Sequence, residues 1–437
     1  MRRFLAIWAV SLVLFSAAVL AITIGVDPYR VIGTPTIRGL TADKVAAADR
    51  PRLTKPLMVE RRAWNTLVFG ASNADVGINP ASDAWPMADR PVFNIAIDGS
   101  DPHIQLRFLQ HALVTQHPKL ILLGLTLEDA MRGPSPPPGQ ANTAPKLSAA
   151  VAAEYGFENR MRVLPDGSPN PAYPLERLKD TVFATFSLQA LTDSVLTLLR
   201  QNDPERNNQT AQGLNTAGSF AKWVRTEGSY TLVMDKDVER TPKLLAWAEY
   251  GLTTVDPIAD FIRLGHAHGA QVIVFFMPSY VDQLEILRQT GLIPSFERWK
   301  MDVARTVETA DPKGQPTPLW DFTGVSPYTT EPLPGPGDTK HPVTWFWEPV
   351  HFRAALGDVM IRRMLGEPGA PAWGDLVTTG NLPARDAQDA EKLQAWAAAH
   401  PADVARLAAV IATAAKAVCG GPVSQCPKPG VTTAASR

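Results

Sequence analysis

Cysteine is nearly absent from the chain, and neither sign of charge is in excess. Only Cys419 and Cys426 occur in 437 residues. Their short spacing across Gly420, Gly421 and Pro422 in "CGGPVSQC" suits a small disulfide loop in an oxidising compartment. Two free thiols on a mobile tail are the other reading, and neither points to a metal site. Lys and Arg total 42 against 43 Asp and Glu, a formal net charge of -1, so there is no electrostatic footprint for a nucleic-acid partner. No internal repeat is present. The H-x-H pair His266 and His268 has no Cys or paired carboxylates nearby, which argues against a metal centre and for the end of a helix.

What is present is an ordinary globular balance, 45% hydrophobic and 19% charged residues, with 39 prolines and 30 glycines. The length allows one large α/β domain or two smaller ones. The Pro and Gly content predicts many turns and at least one long irregular insertion.

The N-terminus, "MRRFLAIWAVSLVLFSAAVLAITIGVDPYR", places Arg2 and Arg3 before an uncharged run from Phe4 to Val26. That run is about 23 residues, or roughly 34 Å as a helix, against a bilayer core of about 30 Å. A cleaved signal peptide has a shorter apolar region, and here the run continues past the weak cleavage-like "SAAVLA". Residues 1–30 therefore read as a single transmembrane anchor through residues 4–26, with Arg2 and Arg3 cytoplasmic and the remainder outside the inner membrane, in a periplasm.

Beyond the anchor, Asp27 to Asn65 reads as a polar connector. "TLVFG", "PVFNIAIDGS" and "PKLILLGL" read as strands, the third apolar enough to be buried on both faces. Between the last two, "DPHIQLRFLQHALVTQH" carries Ile104, Leu106, Phe108, Leu109 and Leu113 at helical spacing. Strand, helix, strand predicts a parallel sheet. "MRGPSPPPGQANTAPK" opens an insertion of about residues 131–245, in which Leu188, Leu191, Val195 and Leu198 mark a helix. "QVIVFFMP" and "PLWDFTG" supply a fourth and a fifth strand, with helices before and between them. The helix "FRAALGDVMIRRML" closes the domain, with Leu356, Val359, Met360 and Met364 on one face. Residues 367–437 form an extension with one Ala-rich helix and a Pro/Gly-rich tail.

The stretch "TLVFGASNADVGINP" puts Ser72 just past a strand, where a tight turn can hold a hydroxyl above the carboxyl edge of a parallel sheet. Gly70 and Gly77 would allow positive φ and close backbone approach, as suits a loop whose N–H groups face an oxyanion. The competing reading is a serine that caps the next helix. "GASNA" lacks the second glycine of G-x-S-x-G, so the α/β-hydrolase elbow is not matched. A serine nucleophile needs a base, and the base needs an orienting partner. In "TWFWEPVHFRAALGD", Glu348 and His351 are spaced for one side of a helical turn, with Pro349 at its start. Glu348 as a helix cap and His351 packed against Trp345 or Trp347 is the alternative. Asp101 and His103 form a rival acid/base pair, although Asp101 before Pro102 is also a helix start. Trp345, Phe346, Trp347 and Phe352 are either an apolar platform for sugar rings or the packing of a loop.

"FGASNADVGINP", "VFNIAIDGS" and "WEPVH", in this order between alternating strands and helices, resemble the blocks of the SGNH (GDSL-type) hydrolase superfamily. More closely, residues from about 27 to 366 are similar to membrane-anchored SGNH-like proteins related to exopolysaccharide O-acetylation factors. The resemblance implies Ser72 as nucleophile, His351 as general base, Glu348 in place of the Asp of D-x-x-H, and the backbone N–H groups of Ser72 and Gly99 as oxyanion donors. Three departures stand out. Ala71 replaces the Asp of "GDS", Leu125 and Thr126 stand where the third-block Asn belongs, and Glu348 is longer by a methylene.

The resulting expectation is an α/β fold: a three-layer α/β/α, SGNH-like (flavodoxin-like) parallel sheet of about five strands over residues 31–366, behind a single transmembrane helix. The expected chemistry is cofactor-free acyl-ester transfer or hydrolysis, on O-acetyl groups of a polysaccharide or other acylated glycan. Trp345 and Trp347 are the candidate sugar contacts, and a membrane acyltransferase is a candidate partner. The alternative function is an inactive, polysaccharide-binding or assembly component of an exopolysaccharide machinery.

Overall fold

The computed structural model describes residues 1–131, 156–228, 241–245, 254–312, 314–335, 337–341 and 343–426. The Pro-rich loop after Met131, the segment "AWAEYG" and the tail after Cys426 lie outside the described residues. Two compact units divide the rest. One holds Met1–Trp64, Arg107–His117 and residues 156–222, and the other holds Asn65–Leu106, residues 118–131 and residues 223–426.

The second unit is mixed α/β, built on a six-stranded, mostly parallel sheet. Its strands are β1 (Thr66–Phe69), β2 (Val92–Asn94), β3 (Leu120–Leu125), β4 (Gln271–Phe276), β5 (Leu319–Asp321) and β6 (Asp375–Leu376), in the order β2-β1-β3-β4-β5-β6. The first five are parallel, with Val68 opposite both Asn94 and Leu122, and Leu123 opposite Val274. All six residues of β3 are buried, as its unbroken apolar run predicts. β2 is shorter than its apolar run, because the Asn94 side chain turns away to donate to the carbonyls of Ala74 (2.7 Å) and Ile78 (2.9 Å). The chain beyond it stays attached through the N–H groups of Ile95 and Ile97, bonded to Val68 O and Gly70 O.

Strand order reverses at β1, which has β2 on one side and β3 on the other. The carboxyl ends of strands at such a reversal diverge and leave a crevice, where open α/β sheets bind their ligands. Both β1 and β3 run directly into short helices there, Ser72–Gly77 and Leu127–Ala130.

Aromatic contacts seat the covering helices. Phe261 of helix Asp256–Ala267 meets Phe69 edge-on at 5.0 Å, and Trp299 of helix Ile293–Thr309 lies 5.1 Å from Phe276. His266 and His268 fall at the end of helix Asp256–Ala267, bonded to Asp311 and to the carbonyl of Leu264. The helical stretch after β4 is two helices, Val281–Thr290 and Ile293–Thr309, broken where Gly291 adopts φ 72°.

The C-terminal extension departs most from expectation. It adds β6 antiparallel to β5, with Leu376 opposite Trp320, and it contains two helices, Leu382–Ala399 and Pro401–Cys419, instead of one. Pro401 starts the second because proline is tolerated in a first helical turn and not in a helix interior. Asp386 on the first of these helices joins Asp321 in pairing the buried Lys300 ammonium. Cys419 and Cys426 are disulfide-bonded.

In the first unit, helix Arg2–Val26 is long and apolar enough to cross a membrane. It ends at Asp27 in a left-handed conformation, and the Asp27 carboxylate accepts the N–H groups of Val31 (2.8 Å) and Gly33 (2.7 Å). Helix Pro401–Gln425 passes the same test of length and composition. Its Arg406, however, pairs with Asp282 at 2.7 Å, and Leu407, Ile411, Ala414 and Ala415 are buried within the second unit. The supposed polar connector is largely structured: helix Pro51–Val59 buries seven consecutive residues from Leu53 onward, including Lys55 and the mid-helix Pro56. Tyr29, Val31, Leu53, Leu57, Ala184 and Ala190 form the apolar cluster of this unit.

Candidate active site

Gly70 and Ala71 carry the chain from β1 into helix Ser72–Gly77. Gly70 has φ 153°, and a Cβ there would sit 2.7 Å from Cβ of Ala74. Only glycine permits so abrupt a turn from strand to helix. The Gly70 carbonyl accepts the Ile97 N–H (3.0 Å) and the Ser100 hydroxyl (3.1 Å), fixing the turn to the segment after β2. Ala71 occupies the cap position and offers no side-chain acceptor, so Ser72 is the first helical residue rather than its cap.

The opposing wall is the segment between Trp345 and Arg353. Here the expectation of a helical turn fails: the segment is a tight loop closed by a bridge between Phe346 and Phe352, and the helix begins only at Ala354. Trp347 N–H donates to His351 O and Arg353 N–H to Trp345 O, both at 2.8 Å. The Glu348 carboxylate turns inward and accepts the backbone N–H of His351 at 2.9 Å and of Val350 at 3.4 Å. A carboxylate that satisfies loop amides competes effectively with a helical turn over the same four residues. Outside the loop, Glu331 accepts the N–H groups of Thr344 and Trp345, and Tyr280 N–H donates to Pro349 O.

This loop carries the base to the serine. His351 Nε2 lies 2.7 Å from Ser72 Oγ, and the other ring nitrogen, Nδ1, is hydrogen-bonded to Glu348 Oε1. The residues are 279 positions apart in sequence. Glu348 and His351 are 4% and 8% exposed, so the acid and base are shielded while the hydroxyl faces a cleft. With Glu348 ionised, Nδ1 carries the proton and Nε2 is the acceptor, the tautomer that can receive a proton from serine. The longer Glu side chain is accommodated by the loop, which places its carboxylate against both the ring and the backbone of His351.

The cleft has a cavity volume of about 200 Å³ and is lined by Ser72, Asp98, Gly99, Glu128, Asp129 and His351 among others. Gly99 sits in a tight turn with φ 63°. Asn73 lies on the cleft and also lines an adjoining apolar pocket with Leu127, Leu244, Met277 and Val350. It is 3% exposed, and its side-chain Nδ2 has no hydrogen-bond partner. An unpaired buried amide donor costs about 1–3 kcal/mol. Its position beside the serine makes it a candidate site residue that sequence reading missed. Its one sequence signal was adjacency to Ser72, whereas its burial and lack of a partner required the fold. Asp98, Glu128 and Asp129 were likewise unmarked.

Other candidates lie elsewhere. Thr126 caps helix Leu127–Ala130 in a reciprocal arrangement with Asp129. Asp101 caps the next long helix through the Ile104 N–H at 2.8 Å, and His103 is exposed. Trp345 packs against Tyr328 at 5.0 Å and Trp347 beneath the Arg353 guanidinium at 3.8 Å. Neither is among the residues that line the cleft. No group of three or more His, Cys, Asp or Glu side chains suited to a metal ion occurs among the described residues.

Compared with known protein families and with curated proteins, the chain matches none of them.

Proposed function

We propose that the chain is an SGNH-type, three-layer α/β/α serine enzyme that transfers or hydrolyses acyl esters, acting on O-acetyl groups of a polysaccharide outside the inner membrane. The observation that carries this reading is the 2.7 Å approach of Ser72 Oγ to His351 Nε2, with Glu348 on the far ring nitrogen. In the first step Oγ bonds to the ester carbonyl carbon and its proton passes to His351 Nε2. The tetrahedral oxyanion is met by the N–H groups of Ser72 and Gly99 and by Asn73 Nδ2, which takes the part of the missing third-block Asn. Collapse breaks the ester bond, and the departing alcohol takes the proton from His351. A sugar hydroxyl or water then attacks the acyl-serine by the reverse sequence.

The setting agrees with this chemistry. Arg2 and Arg3 precede the apolar helix and favour a cytoplasmic N-terminus, which puts everything after Val26 in the periplasm. The Cys419–Cys426 disulfide suits an oxidising compartment. The apolar pocket beside Asn73 is suited to a short acyl chain, with an acyl donor supplied by a membrane acyltransferase.

The test uses full-length protein in detergent, with p-nitrophenyl acetate as donor and an acetylated polysaccharide as the second substrate. Release of p-nitrophenolate by the wild type and its loss in both Ser72→Ala and His351→Ala is the expected result. Turnover that survives both substitutions would discard the site.

A further inference from the structure

Two helices of the first unit, Tyr173–Thr185 and Leu188–Leu199, display an inverted polarity. Their buried positions are polar or small: Asp180, Ala184, Thr185, Ala190, Ser194 and Thr197. Their exposed positions include Leu175, Leu178, Val182, Phe186, Leu188 and Leu199, of which Leu188 is 80% exposed. A helix in water does the reverse, burying its apolar stripe and exposing its polar one. Of the buried polar groups, Asp180, Thr185 and Ser194 are satisfied locally, while the Thr197 hydroxyl has no partner. Asp180 takes a two-pronged bond from Arg160 at 2.8 Å, and the Ser194 hydroxyl bonds Ala190 O. The exposed charged side chains of the pair are Lys179, bonded to Glu176 at 3.2 Å, and Arg200, 3.7 Å from Asp203.

These helices pack directly on helix Arg2–Val26, whose buried residues are Val19, Thr23 and Val26. Thr23 Oγ1 donates to Thr185 O at 2.6 Å, at the bend between the two helices. The contact stripe from Val19 to Val26 covers about the last 10 Å of the first helix. Taken together the two helices are apolar enough for a membrane segment, yet they are bent by 55° at the break between them.

We propose that this bent pair is a second membrane contact: it lies in the outer leaflet beside the anchor, with its leucine face among the acyl chains and Lys179 and Arg200 at the headgroups. The inference rests on the reading of residues 4–26 as a span. The last third of that span is where the pair is attached, and a depth of about 5–10 Å is where interfacial helices reside. Long basic side chains can lay their stems along an apolar face while their charged heads stay at the polar headgroup level.

The experiment uses full-length protein in lipid nanodiscs, with a single environment-sensitive fluorophore attached to an introduced cysteine. The native cysteines are bridged and do not react with a thiol label in the absence of reductant. Probes replace Leu178 (L178C), Leu199 (L199C), Trp8 within the anchor (W8C) and the exposed Ala211 (A211C). Acyl-brominated lipids are then exchanged for ordinary ones. The expected result is loss of fluorescence at positions 8, 178 and 199 and none at 211. Quenching at 8 without quenching at 178 and 199 overturns the inference and leaves the anchor standing. A blue-shifted but unquenched probe at 178 or 199 also overturns it, since protein then covers that face. No quenching at position 8 removes the anchor itself, and the inference with it.

Discussion

The ring of Phe352 occupies the space that a side chain on Gly77 would need: a Cβ there would lie 2.2 Å from Cε2. Gly357 is similarly confined, its Cβ position falling 2.0 Å from Gly77 O. The helix that carries the serine and the loop and helix that follow the base thus meet through two missing side chains. Gly77→Ala should displace Phe352, and with it His351 one residue earlier. A shift of about 1 Å at a catalytic group can cost about a hundredfold in rate. The expected outcome is a fall in kcat of that order on p-nitrophenyl acetate. Unaltered kcat would mean that the loop is positioned by something other than this contact.

The Glu348 substitutions separate charge from length. Glu348→Gln keeps the shape and loses the charge that holds His351 in its accepting tautomer, so kcat should fall by about 10³–10⁴. Glu348→Asp shortens the acid to the one in a D-x-x-H pattern, yet the present loop is built around the longer side chain, which bonds Nδ1 and the His351 and Val350 amides together. We expect Asp to be worse than Glu by about a hundredfold. An Asp variant as active as wild type would show that the loop places no demand on length.

Asn73 calls for a two-sided measurement. Removing one oxyanion donor typically lowers kcat by about 10²–10³, whereas removing an unpaired buried donor relieves a cost to folding. Asn73→Ala should therefore reduce kcat with little change in KM, while Tm holds or rises. A drop in Tm with unchanged kcat would make Asn73 a structural residue.

How much of this was legible beforehand depended on whether the signal was local. β1, β3 and β4 are runs of apolar residues with no competing pattern, and the sequence places them correctly. The association of Ser72 with His351 was readable as chemistry, since each needs the other, although no local pattern brings residues so far apart together. Helix Pro51–Val59 was hidden because Pro56 and Lys55 look like a breaker and a solvated charge, and only the packing of Leu53 and Leu57 with Tyr29 and Val31 organises the helix. Gly77 was read for backbone freedom, but it lies within a helix and its importance is the ring beside it. β6 is two residues long and has no identity apart from its pairing with β5.

The buried Lys300 offers a test of the extension through pH. Burial disfavours its charge, but attraction to Asp321 and Asp386 and the hydrogen bonds to both outweigh this and raise its pKa. Asp321 is opposed by burial as well, yet Lys300 and the Thr323 hydrogen bonds hold its carboxyl below the ordinary range. Asp386 is raised, since burial there exceeds the pull of Lys300. A carboxyl depressed on folding stabilises the fold above its unfolded value, near 3.9, and that stability is lost as pH falls through its folded value. The raised Lys300 contributes below its unfolded value, near 10.4, and is lost as pH rises through the folded one. Asp386 works the other way, since protonating it relieves a cost as the pH falls. The stability that Asp321 contributes should consequently start to fall as pH approaches the ordinary carboxylate value and be fully lost only below its depressed folded value. Asp321→Asn should lower Tm at neutral pH and flatten the acid limb of a Tm-against-pH curve. Lys300→Met, which leaves two carboxylates facing each other in the interior, should cost about 3–5 kcal/mol at neutral pH. If Asp321→Asn leaves the acid limb as steep as in the wild type, the linkage of β5 to the extension through Lys300 is not what sets that limb.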